Sequence, residues 1–124
     1  MENYRQIING MRENMVQIRS EYQAELRGCP KGSLWKTDQN GRPVYFWAWR
    51  SGSEYVRISI SKDPEMQQRL ARKAFLIKSL KLLDRNIYQL DRALRGLEPL
   101  ETGAVVSRLT KAYQDLPGEF FLAQ

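Results

Sequence analysis

From Pro64 to Leu97 nothing in the chain stops a helix: no proline follows Pro64 and the first glycine is Gly96. At 1.5 Å per residue such a run extends about 50 Å. Its start is equally definite, because Asp63 is an N-cap acceptor, Pro64 suits the first helical position and Glu65 faces the positive end of the helix dipole. Apolar residues at Met66, Leu70, Ala74, Ile77, Leu80, Leu83, Ile87, Leu90, Leu94 and Leu97 keep mostly three-four spacing. Phe75, Leu76, Leu82 and Tyr88 widen that stripe beyond one partner helix.

One partner is legible at the N-terminus. Over residues 3–27, Tyr4, Ile8, Met11, Met15, Ile18 and Tyr22 recur at alternating spacings of four and three, with Leu26 one step off. Arg5, Arg12, Glu13, Arg19, Glu21 and Glu25 fall between them as a solvated face, a coiled-coil-like distribution. Gly28, read as a C′ glycine, and Pro30 end this helix, and Cys29 in the exit turn is structural or incidental.

Between the helices, residues 32–61 read as a β-meander. Gly32–Thr37, Pro43–Arg50 and Glu54–Ser61 are rich in β-branched and aromatic residues. Asn40-Gly41 suits a type I′ hairpin turn, and Ser51-Gly52-Ser53 supplies the second reversal. The middle strand is apolar on both faces: Val44, Phe46 and Ala48 point one way and Tyr45, Trp47 and Trp49 the other. A three-residue second loop pairs Arg50 with Glu54 and leaves Tyr45, Trp47 and Trp49 outward beside Tyr55 and Arg57. A two-residue loop shifts the register by one and sets those rings over Val56 and Ile58 instead. In either register Arg57 shares a face with aromatic rings, the composition of a surface that stacks on bases or holds phosphates.

Gly96–Gly103, with Pro99, reads as a connector; Thr102 or Gly103 then caps a short helix over 104–115, and Pro117-Gly118 ends it. The apolar tail 119–124 is expected to pack on a neighbouring helix or a second subunit. The expectation is one α+β domain over 1–124: a long antiparallel helical hairpin, an inserted three-stranded antiparallel β-meander and a short C-terminal helix.

Twenty Lys and Arg against fourteen Asp and Glu give +6 and a pI near 9.7, which favours polyanionic partners. Arg69, Arg72, Lys73, Lys78, Lys81, Arg85, Arg92 and Arg95 form a basic run along the long helix, its first turns nearest the sheet. With no histidine and only Cys29, zinc sites and Ser-His or Cys-His nucleophiles are excluded. Asp38, Glu54, Asp63 and Glu65 form no acid–base or metal constellation, so neither enzymatic activity nor a cofactor is expected. One cysteine, no signal-like N-terminus and no apolar run of membrane length point to a reducing cytoplasm.

Lys31-Gly-Ser-Leu34, the strand Val44–Arg50, the turn, Tyr55–Ile60 and a long basic helix together resemble a pattern in bacterial and mobile-element proteins. It reads KGSL, Gly-x-x-Tyr-Tyr-Tyr-x-x-Tyr-Arg, Gly-Lys-x-x-Ser-x-Tyr-Ile, helix. With the N-terminal helix it looks like the N-terminal half of uncharacterised phage-associated Firmicutes proteins, whose longer members carry a restriction-endonuclease-like half. More loosely, three strands and a helix resemble the arm-type DNA-binding domains of tyrosine integrases. The lysines expected around the second turn are absent, leaving Arg57, and no acidic nuclease motif follows. The resemblance thus implies DNA contact without nuclease activity.

Charge, aromatics and resemblance converge on a non-enzymatic phage or prophage nucleic-acid-binding module, for DNA or RNA. Tyr45, Trp47, Trp49, Arg50, Arg57, Arg69, Arg72 and Lys73 are the candidate contacts, in a chain expected to be homodimeric. A small phage inhibitor of a host defence protein, acting like an anti-CRISPR on a host nucleoprotein, is the alternative. A structural helical dimer is the third reading.

Overall fold

A computed structural model describes residues 3–98 and 100–122. Pro99 of the expected connector, and Ala123 and Gln124 of the expected tail, lie outside the described residues. The order is α1 (Tyr4–Arg27), β1 (Ser33–Gln39), β2 (Arg42–Ser51), β3 (Glu54–Ser59), α2 (Pro64–Gly96), α3 (Thr102–Val106), α4 (Lys111–Gln114) and a 3-10 turn, Gly118–Phe121. This is the α+β hairpin-and-meander architecture read from the sequence. No helix among the described residues is long and apolar enough to cross a membrane.

The helix ends follow local chemistry. Asn3 caps α1 by accepting from the Arg5 N–H, and Asp63 caps α2 by accepting from the Met66 N–H, with Pro64 at the first position. Gly28 differs from expectation. It is the C-cap of α1 at φ −90°, its N–H bonded to the Glu25 carbonyl, so the left-handed freedom of a C′ glycine is not used.

The helices run antiparallel. Arg5 Nη2 donates to the Leu97 carbonyl at 2.6 Å, Arg12 pairs with Asp91 at 2.6 Å, Arg19 with Asp84 at 3.1 Å, and Glu25 with Arg72 at 2.5 Å. Partners on α2 therefore step back toward its start as α1 advances. Beneath this row Ile8, Met15, Ile18, Tyr22 and Leu26 are half-buried against α2, where Leu70, Leu76 and Ile87 are fully buried. Tyr4 and Met11, expected in the seam, are 54% and 47% exposed. Arginines 5, 12 and 19, partly buried, take the seam side because each finds an oxygen on α2 or, for Arg5, on its C-cap Leu97.

The sheet is a β1-β2-β3 antiparallel meander seated where α1 ends and α2 begins. Asn40 at φ 54° and Gly41 at φ 78° form the type I′ turn that Gln39 and Arg42 close. The second loop has two residues: Ser51 pairs with Glu54, Gly52 sits at φ 64°, and Ser53 is not in the positive region, a type II′ pattern. The start of α2 ties down both ends of the meander. Lys73 Nζ donates to the Gly32 carbonyl at 2.7 Å and Gln67 Nε2 to that of Ile60 at 2.7 Å.

The short C-terminal helix is divided. Ser107 Oγ donates to the Ala104 carbonyl, and the Gln114 amide donates to the carbonyls of Ser107 and Leu109, so side chains take bonds that a continuous helix over 104–115 would make with its backbone. Arg108 pairs with Glu98. Phe120 and Leu122, expected to pack on a neighbouring helix or a second subunit, are 65% and 56% exposed, and Phe121 between them is half-buried.

Candidate nucleic-acid interface

The two-residue loop decides what shares a face. Leu34, Lys36, Tyr45, Trp47, Trp49, Val56 and Ile58 fall on one side; Trp35, Thr37, Val44, Phe46, Ala48, Arg50, Tyr55 and Arg57 fall on the other. Ser51-Gly52-Ser53 is compatible with either register. The one observed separates Arg57 from Tyr45, Trp47 and Trp49.

On the first face, Trp47 and Trp49 pack ring to ring at 4.5 Å. The indole N–H of Trp47 donates to the Lys31 carbonyl at 2.8 Å, and the Lys31 ammonium stands 4.9 Å over the Trp49 ring. Gly32 holds this strap against β2 at φ 81°, so close that a Cβ there would sit 2.2 Å from the Ala48 carbonyl oxygen. Tyr45, Trp47 and Trp49 are half-buried. The two tryptophans fasten the α1–β1 connection rather than stand out beside Arg57 as the exposed-ring reading required.

On the second face, the exposed Arg57 guanidinium lies 4.8 Å from the Phe46 ring and 5.9 Å from that of Trp35. Trp35 and Tyr55 are 43% and 51% exposed, with ring centroids 5.9 Å apart at 54°. Arg50, opposite Tyr55, is exposed. Trp35, Phe46 and Tyr55 are not among the candidates read off the sequence; Tyr55, two residues before Arg57 on β3, shares its face in either register, whereas Trp35 and Phe46 join it only in the register observed.

The first turns of α2 hold two cations committed to the fold. Arg72 donates Nε and Nη2 to the Glu25 carboxylate at 2.5 and 2.9 Å and lies over the rings of Tyr22 and Phe75. The hydrogen bond from Arg72 holds the Glu25 carboxyl below its ordinary range, and the same bond raises Arg72 above its own. Lys73 is spent on Gly32. Of the three basic residues expected there, Arg69 alone is exposed without a protein hydrogen bond or ion pair among the described residues.

Further along α2 the charge distribution is one-sided. Lys78, Lys81, Arg85 and Arg92 are exposed and spaced three, four and seven apart, so they share the face turned away from α1. Asp84 and Asp91 are paired across to Arg19 and Arg12 of α1. Arg92 also lies 6.0 Å from the exposed Tyr88 ring.

No group of three or more His, Cys, Asp or Glu able to hold a metal ion occurs among the described residues. A groove of about 480 Å³ near the C-terminus, lined by Glu98, Leu100, Ala104, Val105, Arg108 and Leu109, is mostly apolar. Comparison with protein-family models, curated proteins and solved structures finds no match to this chain.

Proposed function

We propose that this protein is a non-enzymatic nucleic-acid-binding module of phage or prophage type, acting in the bacterial cytoplasm. The observation that carries the reading is the outward face of α2. Four cations lie on it, while the acids of the hairpin that form ion pairs, Glu25, Asp84 and Asp91, are bound to arginines along the α1–α2 seam. A row of unpaired cations on a rigid helix tracks a phosphate backbone, and each phosphate neutralised releases condensed counterions. The net charge of +6 supports the same polyanionic partner.

The test is polarisation binding with duplex DNA, single-stranded DNA and RNA at about 50 and 200 mM salt. Lys78→Gln, Lys81→Gln, Arg85→Gln and Arg92→Gln, combined, should reduce the slope of log K against log salt by roughly 0.7–0.9 for each phosphate that is no longer neutralised. Binding to none of the three at low salt would overturn the reading and leave the inhibitor of a host defence protein in its place.

The chain acts in this reading as a homodimer. Tyr4, Ile7 and Met11 are 54%, 45% and 47% exposed on one face of α1, beside the end of α2 where Leu97 and Leu100 are also exposed. That apolar face is the surface a second copy would cover. Light scattering that gives a concentration-independent monomer mass would refute this part.

A further inference from the structure

The second sheet face carries an inference that rests on the nucleic-acid reading and narrows it. Ala48 lies at its centre, opposite Ser33 of β1 and Arg57 of β3. Trp35 and Tyr55 stand at opposite diagonals from it, so rings with centroids 5.9 Å apart must lean toward each other across Ala48. That accounts for an alanine only 1% exposed beneath rings that are themselves about half open to solvent. A larger residue at 48 would hold the rings apart. The product is a pair of rings tilted at 54° over a small-residue floor, each residue about half open to solvent.

Charge on this face is segregated. The register puts Arg42, Arg50 and Arg57 on the platform side and both acids of the meander, Asp38 and Glu54, on the other side. Arg57 lies against Phe46 and Trp35 and forms no ion pair among the described residues. Aromatic faces framed by arginines and free of carboxylates complement a chain that offers flat rings and phosphates together. In a duplex the base faces are hidden in the stack; in a single strand they are free to lie on aromatic side chains.

We infer that the Trp35–Tyr55 platform stacks unpaired bases, with Arg42, Arg50 and Arg57 meeting the flanking phosphates, so that the preferred ligand is single-stranded nucleic acid. The stacking chemistry is common to DNA and RNA. The sheet selects single strands, and the cationic face of α2 adds affinity without regard to strandedness.

The experiment uses the full chain with labelled oligo-dT and oligo-rU of about 15 nucleotides, a length within the site sizes of stacking-platform domains, and a duplex of equal length. Single strands should bind more tightly than duplex. Trp35→Ala should weaken single-strand binding about 5- to 150-fold, the effect of removing one stacked base, with little change in salt slope and no change on duplex. Trp35→Phe, which keeps a π face, should recover most of the affinity, and Tyr55→Ala should act in the same direction as Trp35→Ala. Equal weakening on dT and rU confirms stacking as the shared interaction; weakening on rU alone makes a 2′-hydroxyl interaction the discriminating one and overturns the shared-chemistry inference. Urea midpoints identify any variant that fails to fold, and Trp35→Phe with Tyr55→Ala then decides the matter. Duplex binding that equals single-strand binding, with every platform variant silent, overturns this inference and leaves the broader reading standing. Failure of all three probes overturns both.

Discussion

Replacing Gly32 by alanine tests the strap that joins α1 to the sheet. Gly32 sits at φ 81°, where an L-residue costs roughly 1–2 kcal/mol. Its Cβ would also lie 2.2 Å from the Ala48 carbonyl oxygen and 2.9 Å from the Trp49 Cβ, both parts of β2 that cannot rotate aside. Overpacking of that kind adds about 1–3 kcal/mol, so Gly32→Ala should cost about 2–5 kcal/mol in all. Gly41→Ala is the control. It has φ 78° but nothing within 4 Å of the added Cβ, so it should cost the dihedral strain alone. Gly10→Ala, inside α1 with open space around it, should instead stabilise by about 1 kcal/mol. Urea unfolding followed by circular dichroism, with slopes unchanged, gives all three differences. A Gly32→Ala cost no larger than that of Gly41→Ala would refute the close approach of the strap to β2. The damage should also be local in kind: lifting the strap removes the Trp47 bond to Lys31 and the Lys73 bond to Gly32.

Three further outcomes are expected. Leu76, 0% exposed between the helices, should cost about 2–5 kcal/mol on truncation to alanine in thermal or urea unfolding, whereas Leu82→Ala, at 55% exposure, should cost far less. Thr37 Oγ1 is a buried side-chain oxygen with no hydrogen-bond partner among the described residues, so Thr37→Val should be neutral or stabilising by about 1 kcal/mol; a clear drop in stability would show that the hydroxyl is satisfied in solution. Glu25 has a lowered folded-state pKa, so its pair with Arg72 stabilises the fold above the ordinary carboxylate value of 4.5 and ceases to do so as pH falls through the depressed value. Glu25→Gln should therefore flatten the acid limb of stability against pH; an unchanged acid limb would count against the pairing.

Much of this architecture is written in local chemistry. Asn40-Gly41 demands positive φ at both positions and adopts it, and Asp63-Pro64-Glu65 starts α2 where capping requires. Less legible are features that depend on one residue of offset. Ser51-Gly52-Ser53 is compatible with loops of two or three residues, and the choice exchanges the faces of β3 relative to β2. For that reason Trp47 and Trp49 read as neighbours of Arg57, while Trp35 and Phe46, which join Tyr55 and Arg57 on the face observed, did not stand out. The seam of α1 was hidden for another reason. Apolar periodicity selects Tyr4 and Met11, but Arg5, Arg12 and Arg19 take the inward side, since their acceptors lie far away in sequence. Arg72 and Lys73 carry the charge a phosphate site needs, and only tertiary partners show that it is already committed.

The row of arginines along α1 behaves as a ruler with repeated marks. Arg5, Arg12 and Arg19 are seven residues apart, and so are Asp84 and Asp91. Sliding α1 by one heptad, about 10 Å, would bring Arg12 to Asp84 and Arg5 to Asp91, and two charge pairs would survive. Sliding the other way would offer Arg19 to Asp91 and Arg12 to Glu98. The ruler alone therefore reads alike at several settings. The pair that breaks the repeat is Glu25 with Arg72, inverted in sign relative to the others; a one-heptad slip of the first kind would set Glu25 against Glu65 instead. Among the charge pairs, alignment of the two helices is thus fixed at the end nearest the sheet, while the Arg12–Asp91 and Arg19–Asp84 pairs would accept displacement in steps of seven.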